Sequence, residues 1–330
     1  MMFSIIIPVY NVEDKIAKCL QSIQNQSYKD FEAIIIIDGS QDRSESICKS
    51  FEREDSRIKV ICKENGGLVS ARKHGAELAT GDYIVNIDGD DYIDKDYLWN
   101  ASKIIKKYSP DMVAYGCTSV SNKSTKYINN LHAGFYDNKI DLDEIKSEVV
   151  YDKTQKGFQG GILINSIWTK VVKRSLYQDC QRMVPDHITV GEDLLLNVLL
   201  IGRIKNIYVS EEAYYNYIVS PISMMHRYNV KNFEHYLDVA KELNEIEYVQ
   251  PNDVDVYLQQ AYISEIKKLS KASSNYSEFK RKYNGNNKIR ELREHAVKAQ
   301  VVNKRIKDQV KNALTHSTGC FILYSVCKYF

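Results

Sequence analysis

Residues 83–91 read YIVNIDGDD, and this stretch contains the pattern from which the fold can be predicted. Its first five residues are mostly apolar, which is typical of a buried strand. Asp88, Asp90 and Asp91 follow the run immediately. A second stretch has the same organisation: residues 31–40 read FEAIIIIDGS, a run of isoleucines that ends in an Asp-Gly-Ser turn. Both stretches predict a strand whose carboxyl end presents carboxylates.

Strands of this kind alternate with helical patterns through the first third of the chain. Asn11 is placed to cap the first helix, whose apolar positions begin at Ile16. Strands separated by helices at this spacing form a mostly parallel sheet with right-handed crossovers. We therefore predict an α/β fold with helices flanking a mostly parallel sheet. The apolar runs place its strands at 3–9, 31–37, 58–62, 83–87 and 112–115.

Polar clusters occur where such a sheet binds ligands. Asp38, Asn65-Gly66-Gly67 and Asp88–Asp91 each follow a predicted strand, so three separate segments converge on the crevice beyond the strand ends. Carboxylates this close repel one another unless a cation neutralises them. Oxygen ligands suit Mg²⁺ or Mn²⁺, which often share a diphosphate as co-ligand. The cluster therefore indicates a divalent metal site, and the alternative is a solvated acidic turn.

Composition excludes several classes of protein. The 330 residues have a net charge of +2 and are 44% hydrophobic and 27% charged, which is ordinary for a globular chain. No apolar run reaches the ~18 residues of a membrane-spanning helix, and the N-terminus lacks the basic segment of a signal peptide. The seven cysteines contain no C-x-x-C pair. We therefore expect reduced thiols and a cytoplasmic location.

Several common motifs are absent from the sequence. It contains no G-x-G-x-x-G, no G-x-x-x-x-G-K-[ST] and no G-x-S-x-G. An EF-hand loop beginning at Asp88 would need Gly at position six and Glu at position twelve, where the chain has Ile93 and Trp99. These absences exclude a Rossmann dinucleotide site, a P-loop, a hydrolase elbow and an EF-hand.

Five motifs remain, and they are Pro8-Val9-Tyr10-Asn11, Asp38-Gly39-Ser40, the segment from Asn65 to Arg72, Asp88–Asp91 and Gly191-Glu192-Asp193. Their order and spacing resemble glycosyltransferase family 2, the inverting nucleotide-sugar transferases with the GT-A fold. The resemblance is specific over about 3–116, looser through Trp168–Arg174, and says little beyond about 230. Ile37 departs from the family, which often has an acid at that position.

The resemblance implies a role for each motif on the donor side. Asp38 would accept a hydrogen bond from the uracil N–H, and Arg72 would approach the nucleotide or its diphosphate. Mn²⁺ or Mg²⁺ would be held by Asp90 and Asp88, with His226 as a third ligand; the alternative for His226 is a polar loop residue. The donor-binding set as a whole is Pro8, Tyr10, Asp38, Arg72, Asp88 and Gly89.

The resemblance also implies roles on the acceptor side. Asp193 would be the general base that takes the acceptor proton, and Glu192 is the second candidate. The alternative for this pair is charge stabilisation of a helix N-terminus. Trp168 and Lys170 would help build the acceptor side, although a buried tryptophan in a sheet is the stronger reading of Trp168.

The implied function is inverting transfer of a sugar from a UDP-sugar to a glycan, with a lipid-linked acceptor expected, in bacterial surface-polysaccharide synthesis. A GT-A catalytic domain would cover 1–220, with a nucleotide-sugar half at 1–116 and an acceptor half at 117–220. A sugar-nucleotide nucleotidyltransferase is an alternative, but it would need a glycine-rich basic loop at residues 8–11. Asp90 and Asp193 argue against a non-catalytic glycan- or nucleotide-binding scaffold. No nucleic-acid partner is expected.

The C-terminal region, 221–330, is predicted to be helical, and its charge and apolar spacing indicate a function of their own. Residues 278–330 contain twelve basic and four acidic residues, whereas the rest of the chain is net acidic. Apolar residues recur from Val297 to Leu314, mostly at four-residue steps, among basic ones. This pattern predicts that 285–330 attaches peripherally to an anionic surface, the inner face of the cell membrane. The equal alternative is that it packs on the catalytic domain or on a second subunit of a homodimer.

Overall fold

The computed structural model describes residues 1–121, 123–151, 161–219 and 228–299. The chain divides into two compact units: the first comprises 1–149 and 156–219, and the second comprises 150–155 and 220–330. His226 and residues 300–330 lie outside the described residues. Within the part that is described, no helix has the length and apolar character needed to cross a bilayer.

The first unit contains two sheets. Their strands in chain order are β1 (Phe3–Val9), β2 (Phe31–Asp38), β3 (Ile58–Lys63), β4 (Tyr83–Asn86), β5 (Tyr92–Ile93), β6 (Met112–Ala114), β7 (Cys117–Val120), β8 (Thr125–Tyr127), β9 (Gly134–Tyr136), β10 (Lys170–Lys173), β11 (Ile207–Val209) and β12 (Tyr215–Ile218). The larger sheet has the order β3-β2-β1-β4-β10-β6-β11-β9, and the smaller one β5-β12-β7-β8. Strands β1 to β4 are parallel, whereas β10 is antiparallel to both neighbours. The predicted mixed α/β fold with a mostly parallel central sheet is confirmed.

The helices alternate with these strands as the sequence predicts. Three of the described helices were not predicted from the sequence. The first unit contains α1 (Ile16–Gln24), α2 (Ser44–Glu54), α3 (Gly67–Leu78), α4 (Tyr97–Tyr108), α5 (Lys139–Glu148), α6 (Arg174–Met183) and α7 (Glu192–Ile201). The described part of the second unit contains α8 (Asn232–Asn244), α9 (Pro251–Lys271), α10 (Tyr276–Asn284) and α11 (Asn287–Ala296). The sequence patterns missed α5, α6 and α10. The sequence patterns also predict one continuous helix over 287–313, and this prediction is wrong, because α11 ends at Ala296.

The central strands are buried on both faces and align the predicted polar clusters. Every residue of β2 is buried, and every residue of β1 except Pro8, as expected for strands covered by helices. Val9 at the end of β1 lies beside Ile37 of β2, and Ile6 lies beside Asn86 of β4. The segments that follow these three strands therefore leave the sheet at the same edge.

Candidate active site

Asp38 is the buried last residue of β2, and one side-chain ammonium and two backbone N–H groups donate to its carboxylate. Its Oδ1 accepts hydrogen bonds from Lys63 Nζ at 2.6 Å and from the Gly66 N–H at 2.9 Å. Its Oδ2 accepts one from the Gly67 N–H at 2.8 Å. A carboxylate oxygen has two lone-pair sites. Oδ2 therefore keeps one acceptor site for a further donor.

A cleft of about 510 Å³ opens beside this carboxylate, within the usual size range of small-molecule sites. Gly39 has a left-handed φ of +70°, and a Cβ there would lie 2.9 Å from Asn65, so glycine is required where these two segments meet. Glycine at position 89 allows its backbone to lie close to that of Pro8, because an added Cβ would lie 3.2 Å from the Pro8 carbonyl oxygen. Tyr10 is exposed just after β1. The cleft is lined by Gly39, Gln41, Cys62, Lys63, Glu64 and Asn65.

Arg72 in α3 joins the two halves of the predicted site. Its guanidinium donates to Asp193 Oδ1 at 2.5 Å and to Asp88 Oδ1 at 3.1 Å, and it lies 3.8 Å from Glu192 Oε1. The arginine is only 2% exposed, and its Nε has no hydrogen-bond partner in the described structure. The first carboxylate after β4 and the predicted base therefore meet on one buried cation.

Burial and crowding shift the pKa values of Asp88 and Glu192 upward. Burial raises the pKa of Asp88 to about 6, with the charges of Asp193 and Asp90 adding to the effect and Arg72 opposing it. Burial and the neighbouring Asp193 raise the pKa of Glu192 to about 8. The raised pKa favours the protonated form of Glu192, which makes it the weaker candidate for the base.

Replacing Glu192 with glutamine is expected to stabilise the fold increasingly as the pH rises. The folded wild type keeps a proton on Glu192 up to about pH 8, whereas the unfolded chain loses it near pH 4.5, so folding takes up a proton between these values. Glutamine removes that cost, and its advantage should grow from about pH 4.5 to 8 and then level off. Urea unfolding at several pH values measures it. The exposed Glu211→Gln is the control, and a pH-independent advantage for Glu192→Gln would contradict the raised pKa.

Asp193 lies in the first turn of α7, two residues after Gly191, whose φ is +87°. Its Oδ2 accepts a hydrogen bond from the Ile167 N–H at 3.2 Å, in addition to the bond from Arg72 to Oδ1. Both oxygens are thus held by donors, while the side chain keeps 21% exposure. Asp193 is fixed in orientation but remains accessible to solvent.

The acids that follow β4 have different surroundings. Asp90 is 40% exposed, and its Oδ2 lies 3.2 Å from Lys15 Nζ. Asp91 is buried and accepts hydrogen bonds from Tyr215 Oη at 2.8 Å and from the Ile218 N–H at 2.7 Å. Asp91 therefore ties this segment to β12, and Asp88 and Asp90 are the two acids of this group that stay available to a ligand.

The surroundings of Asp88 and Asp90 fit a divalent cation that shares its ligands with a nucleotide. The described residues contain no group of three His, Cys, Asp or Glu side chains that could enclose a metal. Mg²⁺-type sites, however, often use one or two carboxylates and complete their shell with substrate phosphates and water. The negative charge that raises the pKa of Asp88 is also what a cation would relieve.

Trp168 and Lys170 both point into the protein. Trp168 stacks on Tyr215 with ring centroids 4.2 Å apart and on Tyr217 at 5.7 Å. Lys170 is fully buried. Neither side chain offers an exposed surface to an acceptor, and their acceptor-side role stays a prediction.

Three residues around the site were missed by the sequence patterns. They are Lys15, Lys63 and Tyr215, which contact Asp90, Asp38 and Asp91 respectively. Of these three, only Lys63 could have been predicted from the sequence. If β2 and β3 are aligned as parallel strands that end together, Lys63 lies beside Asp38.

Comparison with known proteins identifies the class of enzyme. A family model described as "Glycosyl transferase family 2" matches residues 4–180. The chain therefore belongs to this family of glycosyltransferases. The match sets aside the nucleotidyltransferase and the non-catalytic scaffold.

A curated relative agrees with this family. The chain is 35% identical to glycosyltransferase GlyA of Streptococcus pneumoniae over 215 residues. This alignment covers 64% of this chain and 30% of GlyA. The chain thus spans about a third of that relative's length.

Among solved structures, S. aureus TarS matches 99% of this chain and 55% of its own, with a TM-score of 0.65 at 19% identity. The 1–349 form of TarS, in complex with UDP, has a TM-score of 0.62 at 20% identity, over 99% of this chain and 89% of its own. The mannosyltransferase PcManGT from Pyrobaculum calidifontis, in complex with GDP-Man and Mn²⁺, has a TM-score of 0.51 at 14% identity, over 99% and 84%. At these identities the likeness establishes the fold.

Proposed function

We propose that this chain transfers a sugar from a UDP-sugar to a glycan acceptor with inversion, in the synthesis of a bacterial cell-surface polysaccharide. The observation that carries the proposal is the meeting of Asp88 and Asp193 on the Arg72 guanidinium. The predicted nucleotide-side acid and the predicted base belong to distant segments of the chain. Their shared partner brings them into one site with an exposed carboxylate, Asp90, close by in sequence.

The choice of uracil as the base rests on Asp38. The acceptor site left on its Oδ2 suits the N3–H of uracil, and the ring of Tyr10 offers a face for stacking. Structural neighbours hold either UDP or GDP-Man, so the fold by itself does not select the base. Asp38 and the adjoining cleft favour UDP.

Asp193 would act as the general base of a single displacement. The acceptor hydroxyl oxygen forms a bond to the anomeric carbon as the bond from that carbon to the diphosphate oxygen breaks. The hydroxyl proton passes to Asp193, and UDP leaves. Asp88 and Asp90 would hold Mn²⁺ or Mg²⁺, which when bound stabilises the charge that develops on the diphosphate.

The wider setting is proposed from the sequence of the chain. A lipid-linked acceptor, a cytoplasmic location and peripheral attachment to an anionic membrane through 285–330 all fit the basic, apolar-striped C-terminal region. A homodimer that uses the same region is the alternative.

The donor class can be tested on the wild-type chain. With Mn²⁺ present, UDP release is expected from at least one member of a UDP-sugar panel, and no GDP release is expected from GDP-mannose. A luminescent nucleoside-diphosphate assay measures both, with boiled protein as the control. Release from GDP-mannose alone would reject the assignment of Asp38 to uracil.

A further inference from the structure

Lys170 is a basic residue inside the protein. The fully buried side chain begins β10, and its Nζ donates to the Ile164 carbonyl oxygen at 2.5 Å and to Thr169 Oγ1 at 2.7 Å. No described carboxylate forms an ion pair with it. Burial lowers the pKa of Lys170 to about 7, and the charge of Asp193 only partly offsets this. Burying a charged amine costs free energy. The two groups that Lys170 bonds therefore indicate what the side chain does.

Lys170 Nζ bonds both ends of the turn that contacts Asp193. The turn runs from Ile164 to Thr169 and includes a short 3-10 helix, Ile167–Thr169. Its Ile167 N–H is the group that donates to Asp193 Oδ2 at 3.2 Å. Lys170 bonds the first residue of this turn through its carbonyl and the last through its hydroxyl. The two ends are therefore joined across one side chain.

Asn197 in α7 bonds the same turn. Its Nδ2 donates to the Asn165 carbonyl oxygen and, at 2.8 Å, to the carbonyl oxygen of Asp193. The turn and the first turn of α7 are thus linked twice, once through the Asn197 side-chain amide and once through the Asp193 carboxylate. Displacing Ile164 or Asn165 would move the donor that orients the carboxylate.

We propose that Lys170, assisted by Asn197, is a positioning residue for Asp193: it clamps the 164–169 turn so that the Ile167 N–H fixes Asp193 Oδ2. This inference rests on the proposed role of Asp193 as the base. Arg72 fixes Oδ1 and the turn fixes Oδ2, which leaves the free lone pairs of the carboxylate pointing in a defined direction. Misplacing a catalytic group by about 1 Å can cost about 10²-fold in rate.

The test compares Lys170→Met with Lys173→Met. Both remove an ammonium from β10, but Lys173 is 39% exposed and pairs with Asp111 at 2.7 Å. We expect Lys170→Met to lower kcat for UDP release about 10- to 100-fold with the donor KM within about twofold, and Lys173→Met to change neither. A raised KM at unchanged kcat would overturn the proposal.

Two further measurements separate positioning from a general loss of structure. In the Asp193→Asn background, Lys170→Met should lower kcat no further, because it acts through Asp193. A full additive loss would overturn the proposal. If Lys170→Met does not fold, Asn197→Ala replaces it in the same comparisons.

Hydrogen exchange tests the clamp without any activity. The amides of the peptide that contains 164–169 should exchange faster in Lys170→Met than in wild type, and at the wild-type rate in Lys173→Met. Equal rates in all three proteins would overturn the clamp. If wild type releases no UDP at all, the proposed function fails, whereas the exchange measurement still decides whether Lys170 holds the turn.

Discussion

Replacing Asp193 with asparagine is expected to lower UDP release about 10²- to 10⁴-fold and to leave UDP affinity unchanged. Asparagine keeps the size of the side chain but cannot take a proton from the acceptor hydroxyl. Because the effect falls on proton transfer, kcat should fall and calorimetric titration with UDP and Mn²⁺ should give the wild-type dissociation constant.

The matched control for Asp193→Asn is Asp186→Asn, which removes an exposed carboxylate paired with Lys73. It should retain wild-type turnover and melting temperature. Glu192→Gln tests the second candidate for the base. Wild-type turnover in Asp193→Asn together with inactivity in Glu192→Gln would move the role of base to Glu192. Loss of UDP binding in Asp193→Asn would make Asp193 a binding residue.

Replacing Asp90 with asparagine is expected to weaken Mn²⁺-dependent UDP binding by at least about tenfold. Asp90 is the more exposed of the two carboxylates proposed for the metal, and a neutral amide is a poor ligand for a hard cation. Calorimetric titration of UDP with Mn²⁺, and again with EDTA, measures the effect.

The control for Asp90→Asn is Asp94→Asn, which changes another exposed acid of the same segment, bonded to Asn216 at 2.8 Å. This variant should bind UDP as wild type does. The two proteins and wild type should also bind UDP equally weakly in EDTA. An unchanged affinity of Asp90→Asn in Mn²⁺ would remove Asp90 from the metal site.

The sequence predicts the nucleotide-side half of the fold well because its signals there are local. The isoleucine-rich runs mark β1 and β2 to within one residue, and their polar ends mark the edge of the sheet where Asp38 and Asp88 lie. The helix α6 was missed because it is largely polar and buries only three side chains, one of which, Gln181, is polar. Asn11 was expected to cap α1 but has a φ of +50°, and its side chain accepts a bond from the Gln41 N–H instead.

The site depends on contacts that have no local signature. The resemblance implies that Arg72 lies near the nucleotide or its diphosphate, which stays a prediction. It gives no sign that the guanidinium also bonds Asp88 and Asp193, the latter 121 residues further along the chain than Arg72. The position of β10 between β4 and β6 is likewise set by packing across the whole sheet. The contact between Lys170 and the turn beside Asp193 therefore cannot be predicted from neighbouring residues in the sequence.

The configuration of the sugar released from the donor tests the central claim most directly. UDP-glucose and UDP-N-acetylglucosamine carry the sugar as the α-anomer, and water can replace the acceptor in the wild-type reaction. Proton NMR during the first minutes, before mutarotation, identifies the anomer that forms first. A single displacement with Asp193 as base predicts that the β-anomer appears first and that Asp193→Asn nearly abolishes it. If the α-anomer appears first, the account of this site as an inverting one is contradicted.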